Sequence, residues 1–283
     1  MRKELKAQII LVLLTAIWGL GFPLTSLALG GIGPYTLVSV RSLLASLMLI
    51  IIFRKRISII NWKTIKAGVL IAIALMVGSF LQTGGMLYTT PSKSSFITGF
   101  SVIFVPIFMI IIYKKPPTRR MVMSIVISII GLILMTYNGD AGINIGDILT
   151  LLCALVFSVQ MLLVDKFGSS FDGITLAMVE LITMSILATP VAFLQEGYHI
   201  DYTSTSVILC ILVTGLLGSG FAMVMQNKMQ PLINPAHAAV IYLCEPVFGV
   251  FFSLFIGDML SLRAGIGAVL ILIAMFIGGQ EQG

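Results

Sequence analysis

Apolar residues run through this chain in long blocks, broken at intervals by short clusters of lysine, arginine, proline, glycine and asparagine. A hydrocarbon layer of about 30 Å takes about 20 mostly apolar residues per crossing helix, so block length separates a membrane span from a buried core helix. Ten blocks qualify: 7–29, 34–53, 67–87, 94–113, 121–137, 148–164, 174–194, 207–225, 236–256 and 262–278. The pattern predicts an all-α membrane protein of ten transmembrane helices. Connections such as FRKRISIINWKTIK and NGDAGINIGD are too short to fold as a separate domain, so function is expected among the helices.

Composition agrees, with 58% hydrophobic and 10% charged residues and a mean hydropathy of +1.10, far from the balance of a hydrated globule. The first block follows Arg2, Lys3 and Lys6 and ends near Ser26-Leu27-Ala28, which imitates a secretory signal. Its apolar stretch is longer than a signal core and contains Trp18 and Pro23, so a retained helix is expected.

Cationic loops resist translocation, so the lysines and arginines give orientation. With the N-terminus inside, fourteen of the seventeen fall on the cytoplasmic side, Lys93 and Arg263 fall outside, and Arg41 lies within a span. Both termini are then cytoplasmic in a multi-pass protein of the cell membrane. The net charge of +6 belongs to that inner surface. A nucleic-acid partner is not expected, because no folded basic face with aromatic residues is present. Cys153, Cys210 and Cys244 fall inside spans as small apolar fillers. Neither a metal site nor a cofactor is expected.

The chain also repeats itself. A shift of 144 lays LQTGGMLYTTPSKSSFITGFSVIF over MQNKMQPLINPAHAAVIYLCEPVF, matching Gln82 to Gln226, Pro91 to Pro235 and Lys93 to His237. A shift of 139 matches Thr36 to Thr175, Leu37 to Leu176 and Val40 to Val179, and one of 143 aligns TRRMVMS with SLRAGIG. The expected units are residues 1–139 and 140–283, five spans each. Because five is odd, the second unit starts on the opposite side of the membrane, giving two inverted five-helix repeats. That is an architecture of secondary transporters, which hold substrate near the midplane between the halves.

Several stretches carry a family likeness: the Pro-Ser-Lys-Ser-Ser and Pro-Ala-His-Ala-Ala turns opening spans four and nine, CEPVFGVFFS, and GDILTLLCALVFSVQMLLVDKF. With the 5+5 repeat, the chain resembles the drug/metabolite transporter superfamily in its EamA-type branch over nearly its whole length. The resemblance implies a central cavity between the repeats and export or exchange of small metabolites such as amino acids.

Within span four, Ser94, Thr98 and Ser101 are spaced i, i+4, i+7 and share one helical face. Their counterparts Ala238, Tyr242 and Glu245 share the matching face of span nine. A polar stripe in lipid is expected to face protein or a watery cavity, so the two faces are expected to form a cavity wall, with Lys93 and His237 capping the stripes. At 1.5 Å per residue, Glu245 lies ~13 Å, Trp18 ~16 Å and Gln160 ~18 Å into their spans, near the middle of the core. An ionised carboxylate there is costly, so Glu245 either takes up and releases a proton or bonds backbone groups freed by Pro246. Lys93 either attracts an anion or snorkels to headgroups. His237 either relays protons or contacts the cytoplasm. Gln82 and Gln226, toward span ends, are expected to bond neighbouring helices.

Arg41 and Glu180 are equivalent intramembrane charges whose depths favour separate partners over a salt bridge. Ser124, Ser128 and Gly131 in span five, and Ala264 and Ala268 in span ten, offer small faces for helix packing; whether they also build a homodimer is left open. The expected partners are therefore lipid, a small-molecule substrate and a proton or counter-ion. Two rivals stand beside a carrier. An intramembrane hydrolase would use Ser219 and His237, which are expected near opposite faces. A passive channel is the other. No G-x-x-x-x-G-K-[ST] run is present to drive pumping by ATP.

Overall fold

Prolines and short polar caps set where the helices begin. In the computed structural model, which describes residues 2–114, 116–136, 143–253 and 262–279, Pro34, Pro91 and Pro235 each open a helix. There the missing N–H costs nothing and the fixed φ is already helical. Asn61, Thr90, Asp172 and Asn234 cap others by accepting bonds from free backbone N–H groups. Asn144 and Asp147 form a reciprocal capping box.

The helices in order are α1 (Arg2–Ala28), α2 (Pro34–Ile52), α3 (Trp62–Gly85), α4 (Pro91–Thr98), α5 (Ser101–Tyr113), α6 (Arg119–Thr136), α7 (Ile145–Gly168), α8 (Gly173–Glu196), α9 (Thr205–Leu212), α10 (Ala222–Met229), α11 (Pro235–Tyr242), α12 (Cys244–Ser253) and α13 (Leu262–Gly279). A π-helical stretch, Val213–Phe221, joins α9 to α10, and the path runs on through a 3-10 turn, Gln230–Leu232. Among the described residues the only β pairing is an isolated bridge between Ile32 and Ile200.

Among the described residues eight helical paths are long and apolar enough to cross a membrane: α1, α2, α3, α4 with α5, α7, α8, α9 through Leu232, and α11 with α12. α13 is a shorter apolar helix, and α6 packs along it. The end of the fifth expected span at 137, the end of the ninth at 254–256, Lys115 and the unit boundary at 139–140 lie outside the described residues. The sixth span starts at Ile145, earlier than 148, because the capping box satisfies its first turn. The eighth runs past 225 to Leu232.

Polarity is inside out. Leu194, Ile51, Phe276 and Ile186 are exposed, while Ser39, Ser42, Ser158, Gln230, Asn227 and Glu180 are buried. Water would oppose that arrangement; hydrocarbon favours it. Many buried hydroxyls are satisfied within their own helix, as Thr15 Oγ1 donates to Val12 O and Ser158 Oγ to Ala154 O.

Contacts exchange between the halves. α1 packs on α12 as α7 packs on α5, and α3 lies against α7 and α8 as the α9–α10 path lies against α1 and α2. α6 and α13, equivalent under the repeat, run antiparallel. The Ser124 hydroxyl, early in α6, donates to Ala274 O late in α13 at 2.6 Å. A Cβ placed on Gly131, late in α6, would stand 2.7 Å from Gly267 O early in α13. Shifting by 143 turns each of these contacts into the other. Where α4 meets α5, Gly99 rests against Leu243, its own equivalent, at the junction of α11 and α12. Both helices are interrupted at this shared point by i→i+3 bonds, Val102 N to Gly99 O and Leu243 N to Val240 O.

α2 and α8 are tied at both ends. The Glu196 carboxylate accepts from Tyr35 N at 3.0 Å and from Thr36 N at 2.7 Å, capping α2 from across the contact. Gly33 leaves room for it, since a Cβ there would collide with that carboxylate. At the far end Arg56 pairs with Asp172 at 3.4 Å.

Replacing Gly131 by Leu would drive a side chain into the α13 backbone. A loss of about 1–3 kcal/mol is expected, read as a lowered Tm of the purified protein. Gly30→Ala, where a Cβ meets nothing within 4 Å, is expected to stay within about 0.5 kcal/mol.

Candidate solute-binding cavity

A cavity of about 150 Å³ lies where helices from both halves converge. α1 contributes Trp18, Gly21 and Thr25; α3 contributes Ser79, Gln82, Thr83 and Met86; α4 and α5 contribute Ser95, Thr98 and Ser101. From the second half come Phe157 and Gln160 of α7, Thr214, Gly218 and Ser219 of the π stretch, Gln226 of α10, and Tyr242, Glu245 and Pro246 around the α11–α12 break. Arg41 of α2 completes the wall. Most of the remaining lining is apolar, including Phe22, Leu75 and Met184. A few polar groups set in an apolar wall is the usual composition of a small-molecule site.

Trp18 is held from two sides. Its indole N–H donates to Gly218 O at 2.9 Å, and its ring meets Tyr242 edge on at 5.4 Å. Gly19 makes this approach possible, because a Cβ there would sit 2.7 Å from Glu245 O and 2.8 Å from Gly249 N. The α1 and α12 backbones thus touch beside the two residues that carry the cavity's ring and carboxylate. The wide winding of the π stretch brings the Gly218 carbonyl to the indole.

An amide cluster is packed against the cavity wall. Gln226 Nε2 donates to Gln230 Oε1 at 3.0 Å, the Tyr242 hydroxyl donates to the same oxygen at 3.0 Å, and Gln230 Nε2 donates to Met161 O at 2.7 Å. Gln226 Nε2 also lies 3.5 Å from Gln160 Oε1. Asn227 Nδ2 donates to Glu180 Oε2 at 2.8 Å just behind the cluster. Elsewhere the lining runs through Thr25, Met86 and Ser95.

The Glu245 carboxylate is half-buried and faces the cavity. Among the described residues nothing donates a hydrogen bond to it or pairs with it. Buried nitrogen or oxygen atoms without a partner recur around the same wall: Arg41 Nε, Gln160 Nε2 and Gln226 Oε1. Leaving such atoms unpaired in a folded protein is costly, and a ligand that supplies partners recovers the cost. No group of three or more histidine, cysteine, aspartate or glutamate side chains with metal-binding geometry occurs among the described residues.

Of the residues expected in the wall, Trp18, Thr98, Ser101, Gln160, Tyr242 and Glu245 line the cavity. Lys93 and Ser94 do not. Lys93 Nζ bonds Asp147 Oδ2 at 2.6 Å at the end of α7, with Thr89 on the other carboxylate oxygen. Ser94 faces Thr150 of α7 at 3.4 Å. The i→i+3 turn at Gly99 changes the register: the lining takes Ser95, Thr98 and Ser101, three residues apart, in place of the spacing of a continuous α-helix. His237 is also elsewhere, buried between α11, α6 and α13 near Ser124 and Gly278. Glu180 takes Asn227 as its partner, and no ion pair joins it to Arg41.

Gln82 and Gln226 line the cavity as well as bonding neighbours, Gln82 Nε2 reaching Thr98 Oγ1 at 3.2 Å. Gln226 lies deeper than its place in a span ending at 225 implied, because the helix continues to Leu232. Their match at a shift of 144 was the sequence signal for both. Ser79 and Thr83 carried a weaker one, being hydroxyls one turn apart in an apolar helix.

Interior-polar helices packed in two exchangeable sets around a central cavity define a polytopic membrane transport protein. Comparisons with known proteins narrow the class. The profile of the EamA-like transporter family matches residues 5–137 and again 144–278. An uncharacterized transporter of Archaeoglobus fulgidus is 32% identical over 277 residues, spanning 97% of this chain and 86% of its own. The Bacillus subtilis protein described as uncharacterized transporter YvbV is 24% identical, covering 86% of this chain and 85% of its own. A crystal structure at 14% identity superposes with a TM-score of 0.76 over 96% of this chain and 94% of that one, a likeness of fold. This chain belongs to the EamA-like transporter family, within the drug/metabolite transporter superfamily, and is a transporter, not an enzyme.

Lys93→Met is expected to leave solute uptake unchanged while lowering stability by about 1 kcal/mol, since Lys93 is a third exposed and its pair is partly screened. Matched uptake and thermal-unfolding measurements check both halves of that expectation.

Proposed function

We propose that this protein is a secondary carrier that moves a small polar or zwitterionic metabolite, such as an amino acid, outward across the cytoplasmic membrane by alternating access. In this reading residues 1–139 and 140–283 are two inverted repeats of five spans each, with α6 and α13 as the fifth and tenth and both termini in the cytoplasm. The antiparallel course of α6 and α13, and of α2 and α8, supports the inversion. The observation that carries the reading is the Glu245 carboxylate, facing a cavity shared by both halves with no hydrogen-bond partner among the described residues. A charge held there at the membrane midplane is expensive, and a transported cation or proton meets its need.

The same carboxylate is the proposed coupling site. When protonated it is a neutral lining group; when ionised it draws an ammonium or another proton into the cavity. The amide cluster of Gln226, Gln230 and Tyr242 joins two helices beside the cavity, and we read it as a gate, which favours a carrier over a channel. Ser219 lines the cavity and His237 does not, which leaves a hydrolase pair without support.

Uptake of amino acids, nucleosides and amines into proteoliposomes, with and without an imposed pH gradient, tests the reading. Saturable uptake with counterflow is expected for at least one class, and Glu245→Gln is expected to abolish stimulation by the gradient. Conduction that never saturates points to a pore, and gradient stimulation retained in Glu245→Gln removes the coupling role.

A further inference from the structure

Arg41 is the second charge facing the cavity, and its surroundings set it apart from the other polar groups there. The guanidinium stays protonated under all physiological conditions, so its charge cannot be removed by giving up a proton. It is half-buried on the cavity wall, yet no described residue supplies it with a carboxylate or a hydrogen-bond acceptor, and its buried Nε has no partner. The terminal nitrogens are not among the sealed-off unpaired atoms, and the residue lines the cavity. Glu245, the one acidic residue among those lining it, is not within ion-pair distance.

The repeat supplies an internal control. Glu180 occupies the equivalent position in α8, and there the charged side chain is fully buried, bonded to Asn227 and absent from the lining. Exposure of the charge to the cavity is therefore specific to the Arg41 side and does not follow from the position in the fold. A Cβ on Gly215 would stand 3.4 Å from the Arg41 backbone, so the glycine lets the π stretch pack closely on the helix that carries Arg41.

We propose that Arg41 is the anion-recognising group of the cavity. It binds the carboxylate of a zwitterionic solute through its paired N–H groups while the ammonium end lies against Glu245. Two opposite charges that share one cavity without meeting mark the two ends of such a ligand, and a planar guanidinium suits a carboxylate in two-point contact. The aromatic surfaces of Trp18, Phe157 and Tyr242 give the remainder of the solute an apolar seat. The inference rests on the carrier reading and adds to it a defined orientation of the substrate.

Three matched probes test it: phenylalanine, phenethylamine, which lacks the carboxylate, and 3-phenylpropanoate, which lacks the ammonium. In wild-type proteoliposomes phenylalanine uptake is expected to be saturable and the best of the three. Arg41→Gln is expected to raise KM for phenylalanine by about tenfold or more, the loss of a charge-assisted contact, while phenethylamine changes by less than about threefold. Arg41→Lys, which keeps the charge without the planar fork, is expected to recover part of the phenylalanine uptake. Retained phenethylamine uptake shows that the variant is folded and inserted. Equal losses for phenylalanine and phenethylamine, or phenylalanine uptake unaffected in Arg41→Gln, overturn the role given to Arg41 and leave the carrier reading standing. A wild-type protein that carries nucleosides but none of these probes overturns the zwitterion assignment, and one with no saturable uptake of any solute overturns the carrier reading itself.

Discussion

Hydrocarbon offers no hydrogen bonds, and this fold is organised around that lack. Among the described residues backbone groups are committed to helices, caps and close contacts, and many buried hydroxyls find an acceptor on their own helix or a neighbour. Ser124 reaching Ala274 O, Glu196 closing the start of α2 and Trp18 bonding the π stretch are local answers to the same demand. Against that background the unsatisfied atoms stand out. Arg41 Nε, Gln160 Nε2 and Gln226 Oε1 belong to residues of one cavity, which the free carboxylate of Glu245 also faces, while Glu180 Oε1, Asn227 Oδ1 and the two His237 nitrogens are unsatisfied away from its lining.

Two polar clusters near the cavity differ in kind. In one, amides and a phenol interlock through Gln230, which accepts from two groups and donates to a third. The other is the Lys93–Asp147 pair beyond the lining, with Thr89 attached to it. A neutral amide cluster exchanges partners with little change in charge, whereas parting an ion pair in a poorly solvated place exposes two charges. The two clusters therefore differ in what it costs to rearrange them.

Much of this was legible in the order of residues. Block length and the flanking prolines located the eight paths that qualify as spans among the described residues, because hydrocarbon thickness and the missing proline N–H act locally. The repeat exposed the pairing of Gln82 with Gln226 and of span four with span nine. What the sequence hid was register. Ser94 looked equivalent to Thr98 and Ser101 on an ideal helix, but the tightened turn at Gly99 turns it toward α7 and brings Ser95 to the cavity. Lys93 looked like a cavity cation, but its partner Asp147 is 54 residues away along the chain and invisible to any local pattern. Arg41 was seen as an intramembrane charge, while its lack of a described protein partner depends on the packing of helices distant in sequence.

The contact between Gly99 and Leu243 has one more consequence. Two points that match under the repeat rest on each other, so both helix interruptions share a single bearing surface. A side chain that replaces the glycine meets the Leu243 side chain across the contact, so a change at one interruption is felt at the other.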